Sequence, residues 1–265
     1  MSTIGPMKDE PNFDPRAVAT QALACLDLTS LNEGDTESDI AALCARAEGR
    51  FGNVAAVCVW PRLAAFARRQ VPAAIRVAAV ANFPQGDANP ARAERDAGLI
   101  ADAGAQEVDV VLPWRAMLEG DSSSCRRVLA AARRASEGLT LKVILESGEL
   151  KSPDLIAEAS RIALGEGADF LKTSTGKTPN GATPEAAQVM LSAIAADRAH
   201  LAGFKASGGV RSVADAARYL ALVRETLGEG ACTPQRFRIG ASGLLDAIEA
   251  VLGGTAPEGR PGTGY

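Results

Sequence analysis

Two lysines sit where apolar surroundings make them costly. Lys172 closes the apolar run of DFLKTS (169–174), and Lys205 lies inside LAGFKAS (201–207). Burial disfavours an ammonium group, so an isolated lysine in such a segment seldom serves structure alone. Carboxylates interrupt apolar runs in the same way: Asp27 in ALACLDL, with Thr29 after it, and Asp109 in EVDVVL. LKVILES adds Lys142, a candidate substrate contact, and Glu146, and IRVAAVANF adds Asn82. Lysines and carboxylates crowded at the ends of buried segments shift one another's pKa values, and a neutral, nucleophilic amine can be made at neutral pH in that way. A structural ion-pair layer inside the protein is the competing reading. Cys58, in AAVCVW, falls at the same level and is a candidate substrate contact, although buried packing competes for it.

A second group of residues suits an anion. STG (174–176), SGG (207–209) and ASG (241–243) are short Ser/Gly turns, each where a strand-like run gives way to a helical one. Such turns aim backbone N–H groups at a phosphate near a helix N-terminus. Thr175, Gly176, Ser207, Gly208, Gly209, Ser242 and Gly243 are the resulting candidates. Gly176-Lys177-Thr178 imitates the end of a nucleotide-binding P-loop. That motif needs a glycine five positions before Gly176, and Leu171 stands there instead. Lys177 is therefore expected to be a solvated loop lysine.

The elements that must position these groups alternate along the whole chain. Strands are expected at 22–28, 55–60, 75–83, 107–112, 141–147, 169–174, 201–207 and 236–242, with Ala-rich segments of helical periodicity between them. Several strands are apolar almost throughout, as in a parallel sheet covered on both faces. Eight such units in 265 residues fit a single-domain (β/α)8 TIM barrel, an α/β fold in which strand C-termini carry the active site. An open doubly wound sheet has the same periodicity. The core is expected over about 16–252, with tails at 1–15 and 253–265. A net charge of −4 argues against nucleic-acid binding. No apolar run approaches the ~20 residues of a membrane span, and the polar start MSTIGPMKDEPNFDP lacks the apolar stretch of a signal peptide. The five cysteines show no paired spacing, which points to reduced thiols and a cytoplasmic location. A single histidine, His200, argues against a His-based metal site or a Ser-His triad, leaving Lys, Asp, Glu or Cys to do the chemistry.

The segments LDLTSLN, VCVWPR, VANFPQG, EVDVVLPWRAMLEGD, LKVILESGEL, GADFLKTSTGK, GFKASGGVR and RIGASGLL occur in this order from about residue 20 to 252. Together they closely resemble the deoxyribose-phosphate aldolase family. The resemblance implies a (β/α)8 barrel and reversible cleavage of 2-deoxy-D-ribose 5-phosphate to D-glyceraldehyde 3-phosphate and acetaldehyde. It also implies no metal and no cofactor, the covalent Schiff base forming on a lysine. Carried over by motif, Lys172 matches the Schiff-base lysine, Lys205 its neighbouring lysine and Asp109 the proton-relay aspartate. Asp27 and Thr29 match first-strand polar residues near the substrate. Tyr265 resembles a C-terminal tyrosine that in one branch assists proton transfer. The chain departs from the pattern in LDLT, in Ala206 and in ASG, where Gly243 removes one hydroxyl from the phosphate cradle. Weaker or altered phosphate contacts are expected there.

A lysine with a reference pKa of ~10.4 is only about 0.04% neutral at pH 7. A second ammonium ~6 Å away at an effective dielectric of ~20 opposes protonation by about 2.8 kcal/mol, or ~2 pKa units. Lys205 is thus expected to supply most of the shift at Lys172, with partial burial adding the rest. Barrels of this kind often form homodimers, and the sequence marks no interface. Another lysine-dependent sugar-phosphate aldolase or transaldolase-like barrel, and a non-catalytic sugar-phosphate-binding barrel, are the alternatives.

Overall fold

The computed structural model describes residues 13–197 and 201–255. Its strands, in chain order, are β1 (Leu26–Thr29), β2 (Glu48–Gly49), β3 (Gly52–Asn53), β4 (Ala56–Val59), β5 (Arg76–Ala81), β6 (Glu107–Val111), β7 (Thr140–Ile144), β8 (Phe170–Lys172), β9 (Gly203–Ser207) and β10 (Phe237–Ala241). β2 and β3 form a small antiparallel hairpin too short for a hydrophobic period to mark it. The other eight are parallel and form a closed barrel, completed where β1 pairs with both β4 and β10. This is the (β/α)8 fold; the β1–β10 ladder excludes the open sheet.

The helices are α1 (Pro15–Ala24), α2 (Glu37–Ala47), α3 (Pro61–Gln70), α4 (Pro90–Asp102), α5 (Trp114–Leu118), α6 (Ser122–Ala135), α7 (Ser147–Leu150), α8 (Pro153–Gly165), α9 (Pro184–Ala196), α10 (Val213–Leu227) and α11 (Leu244–Leu252). Four of them start by one device. Asp14, Asn89, Ser152 and Thr183 each accept a hydrogen bond from a backbone N–H of the first turn, and each precedes a proline at the first helical position. The side chain partners an otherwise orphaned N–H, and proline presets the helical φ where its missing N–H does no harm. None of the described helices is long and apolar enough to cross a membrane.

The expected first strand at 22–28 is corrected. Ala22, Leu23 and Ala24 finish α1, whose buried residues pack against α10 and α11, and the strand starts only at Leu26. Alanine and leucine favour helix, and the Asp14–Pro15 start nucleates one. The expected tail at 1–15 consequently gives way to this helix at its last residue.

Register decides which side chains meet. Asp109 pairs with Lys142, Lys172 with Lys205, and Lys205 with Arg238. Paired residues of parallel strands face the same side, and successive residues alternate. Glu107, Asp109, Lys142, Lys172, Lys205, Arg238 and Asp27 therefore share the barrel interior, while the aliphatic residues between them face the helices.

Candidate active site

Seven charged side chains fill the middle of the barrel, all between 0% and 4% exposed. Asp109 is at their centre: its Oδ1 accepts from Lys142 Nζ at 2.7 Å, and its Oδ2 from Lys172 Nζ and Lys205 Nζ at 2.8 Å each. Lys205 also reaches Asp27 Oδ2 at 2.5 Å. Lys142 reaches Glu107 Oε2 at 2.6 Å and Asp27 Oδ2 at 3.4 Å. Arg238 donates to Asp27 Oδ1 at 2.6 Å, and its two Nη atoms grip Glu107 at 3.1 and 2.7 Å. The carboxylate oxygens are thus engaged by the protein's own cations.

These contacts set the protonation states. Burial would raise the pKa of Asp109, but Lys142, Lys172 and Lys205 outweigh it and hold the carboxyl well below its usual range. Burial would lower Lys205, yet Asp109 and Asp27 hold it above its ordinary value. Lys172 goes the other way. Burial is the largest influence and lowers its pKa, Asp109 resists, and Lys205 adds a smaller downward push. The expectation that Lys205 supplies most of this shift is corrected: desolvation leads, because Lys172 is 3% exposed and the shared Asp109 carboxylate stands between the two lysines. The arrangement offers a buried amine biased toward its neutral form, in contact with an ionised carboxylate. Such a pair suits attack on a carbonyl carbon and transfer of the protons that follow.

Lys172 opens onto a cavity of about 370 Å³ at the C-terminal ends of the strands. Thr29, Thr175, Gly176, Ser207, Gly208, Gly209, Ser242 and Gly243 line it, together with Lys177 and Arg211. Gly208 and Gly209 have φ of +83° and +93°, where a side chain would be strained. Glu146, at φ +54°, braces the facing loop: it accepts from Thr175 N at 3.2 Å, Thr175 Oγ1 at 2.6 Å and Thr178 Oγ1 at 3.3 Å. A larger groove of about 990 Å³ between α8 and α9 lies on the outside, away from this cluster.

The family model for DeoC/LacD family aldolases matches residues 21–248. The chain belongs to the DeoC/LacD aldolase family. It is 46% identical over 254 residues to the deoxyribose-phosphate aldolase of Agrobacterium fabrum (strain C58 / ATCC 33970), covering 95% of this chain and 97% of that protein. An apo-form crystal structure from Toxoplasma gondii ME49, provisionally assigned as a deoxyribose-phosphate aldolase, superposes with a TM-score of 0.84 at 27% identity, covering 91% of this chain and 97% of the other. The tetrameric deoxyribose phosphate aldolase of Aeropyrum pernix gives a TM-score of 0.69 at 25% identity, covering 89% and 92%.

For an aldolase of this family, the structure divides the residues singled out from sequence into two levels. Lys172, Thr29 and the Ser/Gly turns meet at the mouth. Asp27, Lys142 and Cys58, expected as substrate contacts, instead lie beneath it and are fully buried. Asp27 and Lys142 are held there by opposite charges, and Cys58 packs with Sγ 4.0 Å from Asp109 Oδ2, its thiol pKa raised by burial. Lys177 is an exposed loop lysine, as expected, and its Nζ also donates to Leu31 O at 2.7 Å, which ties it to the rim of the cavity. Asn82 braces its own loop against β6, donating to Asp87 O and Val111 O. Tyr265 and His200 lie outside the described residues. Sequence reasoning missed Glu107 and Arg238. The signal was present, since Glu107 stands two residues before Asp109 and Arg238 two before Gly240, in phase with the interior face.

Proposed function

We propose that this chain is a deoxyribose-phosphate aldolase, a metal-independent aldehyde-lyase that reversibly cleaves 2-deoxy-D-ribose 5-phosphate to D-glyceraldehyde 3-phosphate and acetaldehyde. One observation carries the reading. Among the described interior cations, Lys172 is the one that lines the mouth cavity, and it keeps a single carboxylate partner. Neutral Lys172 attacks the C1 aldehyde, and loss of water leaves a protonated imine. Two- and three-carbon products require the C2–C3 bond to break. The C3 hydroxyl gives up its proton, C3 becomes a carbonyl, and the C2–C3 electron pair passes into the imine to form an enamine. Asp109, ionised and touching Lys172, is the proton acceptor through a water. Protonation at C2 and hydrolysis then release acetaldehyde and restore Lys172.

The 5-phosphate sits on the turns at Gly176, Ser207, Gly208, Gly209, Ser242 and Gly243, with Lys177 and Arg211 at the rim. Remote anchoring of this kind becomes orientation at the reacting carbons. The scheme uses no cofactor beyond the lysine and treats the chain as one barrel domain. Self-association, with a homodimer as its simplest form, joins the reading on the precedent of the Aeropyrum pernix tetramer.

Borohydride reduction in the presence of acetaldehyde, followed by peptide mass mapping, tests the nucleophile. The adduct is expected on Lys172; an adduct on Lys205 alone would exchange the two roles, and none on either would end the scheme. Lys172→Ala should abolish cleavage, by at least about 10³-fold, while stabilisation by phosphate persists in thermal melts.

A further inference from the structure

The ion-pair array in the described barrel interior holds four cations, Lys142, Lys172, Lys205 and Arg238, against three carboxylates, Asp27, Glu107 and Asp109. The half-exposed Arg76 also reaches Glu107 at 3.6 Å, and the buried Glu146 lies outside the array, bonded to Thr175 and Thr178. Arg238 takes Glu107 in a two-pronged grip and reaches Asp27 as well; Lys142 touches all three carboxylates, and Lys205 two of them. Lys172 touches Asp109 alone, through an oxygen it shares with Lys205. The set is neutral when Lys172 is neutral and carries one surplus positive charge when Lys172 is protonated. Lys172 faces the mouth, whereas Glu107 and Arg238 line a cavity of about 820 Å³ at the opposite, N-terminal face. The array therefore runs through the barrel.

We propose that Glu107 and Arg238 are positioning residues for the reaction: by completing the charge count of the interior from its far end, they leave Lys172 as the amine without a carboxylate of its own. The groups facing Lys172 are Asp109 on β6, Lys205 on β9, Cys58 on β4 and Glu146 after β7, with Lys142 on β7 across Asp109. Neither Arg238 nor Glu107 touches Lys172, and the groups that face it keep their own side chains when either is changed; Lys142 loses its contact to Glu107 but keeps Asp109 and Asp27. The directions of titration agree, since Lys142, Lys205 and Arg238 are held above their ordinary values and Lys172 below. The catalytic consequence rests on Lys172 being the imine-forming residue, whereas the charge balance does not.

The test reads the titration of Lys172 without substrate, by trace acetylation with acetic anhydride across pH 6–10 and peptide mass mapping. Arg238→Met removes a positive charge and should raise the Lys172 midpoint by about one pH unit; Glu107→Gln removes a negative one and should lower it by about as much. Arg238→Lys keeps the charge but not the two-pronged grip, so the midpoint should stay at the wild-type value. The double variant Arg238→Met/Glu107→Gln restores neutrality and should return to wild type. It also removes both members of the Arg238–Glu107 pair, while Asp27 and Lys142 keep other partners, so it remains informative if a single variant fails to fold. Shifts of the same sign in the two single variants, a shift in Arg238→Lys equal to that in Arg238→Met, or a displaced double variant would overturn the proposal. Borohydride trapping on the same samples separates the two ideas: normal acetylation shifts with no acetaldehyde adduct would sink the Schiff-base scheme and leave the charge balance standing.

Discussion

At the mouth of the barrel the polar surface comes largely from backbone at Gly176, Gly208, Gly209 and Gly243, on turns that are open to solvent or partly so. Directly beneath, it consists of charged side chains with almost no exposure, each held by a partner from another strand. The two regions handle charge differently. Backbone N–H groups present a phosphate with donors that no single side-chain substitution removes, and they need only turns that glycine can adopt. A buried amine can be tuned only by neighbouring charges and desolvation, so the lower region is sensitive to every one of its members.

The sharpest way to break this comparison is at the lower region's centre. Asp109→Asn leaves three lysines facing an uncharged amide, and losing one side of a buried ion pair is destabilising by about 3–5 kcal/mol. The variant should lose activity by about 10²–10⁴-fold as well. Chemical denaturation and steady-state rates check both, and a stable, active Asp109→Asn would show that the interior charges are not coupled.

Next in size is the dependence of stability on pH. Asp27, Glu107 and Asp109 are held below the ordinary carboxylate range, against the pull of burial, by their cationic neighbours. Their stabilisation is present above about pH 4 and is lost as pH falls through their lower folded values. Lys142 and Lys205, held high by Asp109 and its fellow carboxylates despite burial, contribute below about pH 10.4 and lose that contribution only as pH rises through their raised values. Lys172 has the opposite sign. Burial lowers its pKa, so the unfolded chain binds the extra proton and stability rises with pH between the folded value and about 10.4. Lys172→Met should remove that rise, in which every tenfold difference in proton affinity between the folded and unfolded chain is worth about 1.4 kcal/mol. Melts across pH 6–10 that show the same slope in both proteins would contradict a depressed Lys172.

A smaller effect is expected where the two regions touch. A Cβ on Gly240 would lie 2.9 Å from Lys205 Cε and 3.1 Å from Ser207 Cβ. Lys205 cannot move aside without giving up its contacts to Asp27 and Asp109. Gly240→Ala should therefore be destabilising by about 1–3 kcal/mol and slow the reaction, measured as kcat at saturating substrate. The smallest effect belongs to the mouth alone. Nothing lies within 4 Å of a Cβ on Gly243, and its φ of −99° suits any residue. Gly243→Ser adds one donor and should tighten phosphate binding by only a few-fold, read as Kd by calorimetry. A loss of binding there would mean that the side chain blocks the cradle.

Much of this site was legible because its chemistry is local. Lys172 stood out as a charge closing an apolar run, and the three Ser/Gly turns as places where strand yields to helix. The difficulties arose where meaning depends on neighbours distant in sequence. Asp27 and Lys142 read as substrate contacts because they share the strands of the site, but period two places them one level lower, among ion pairs. Arg238 is not singled out in RFRIGAS, because only the closure of β10 against β1 and β9 turns it inward. Lys177 is exposed as its loop position implies, but nothing nearby in sequence announces its bond to Leu31 O, 146 residues away.

The sequence by itself determined the alternation of strands and helices, the caps that start the helices, the family and the lysine that faces the mouth, since each is written in residue types a few positions apart. Tertiary structure decided closure of the barrel and the charge state of its interior. Seven charged side chains from six strands meet there, and which amine stays neutral depends on how many opposite charges share one small, water-poor volume. That count is a property of the closed barrel, and no single segment contains it.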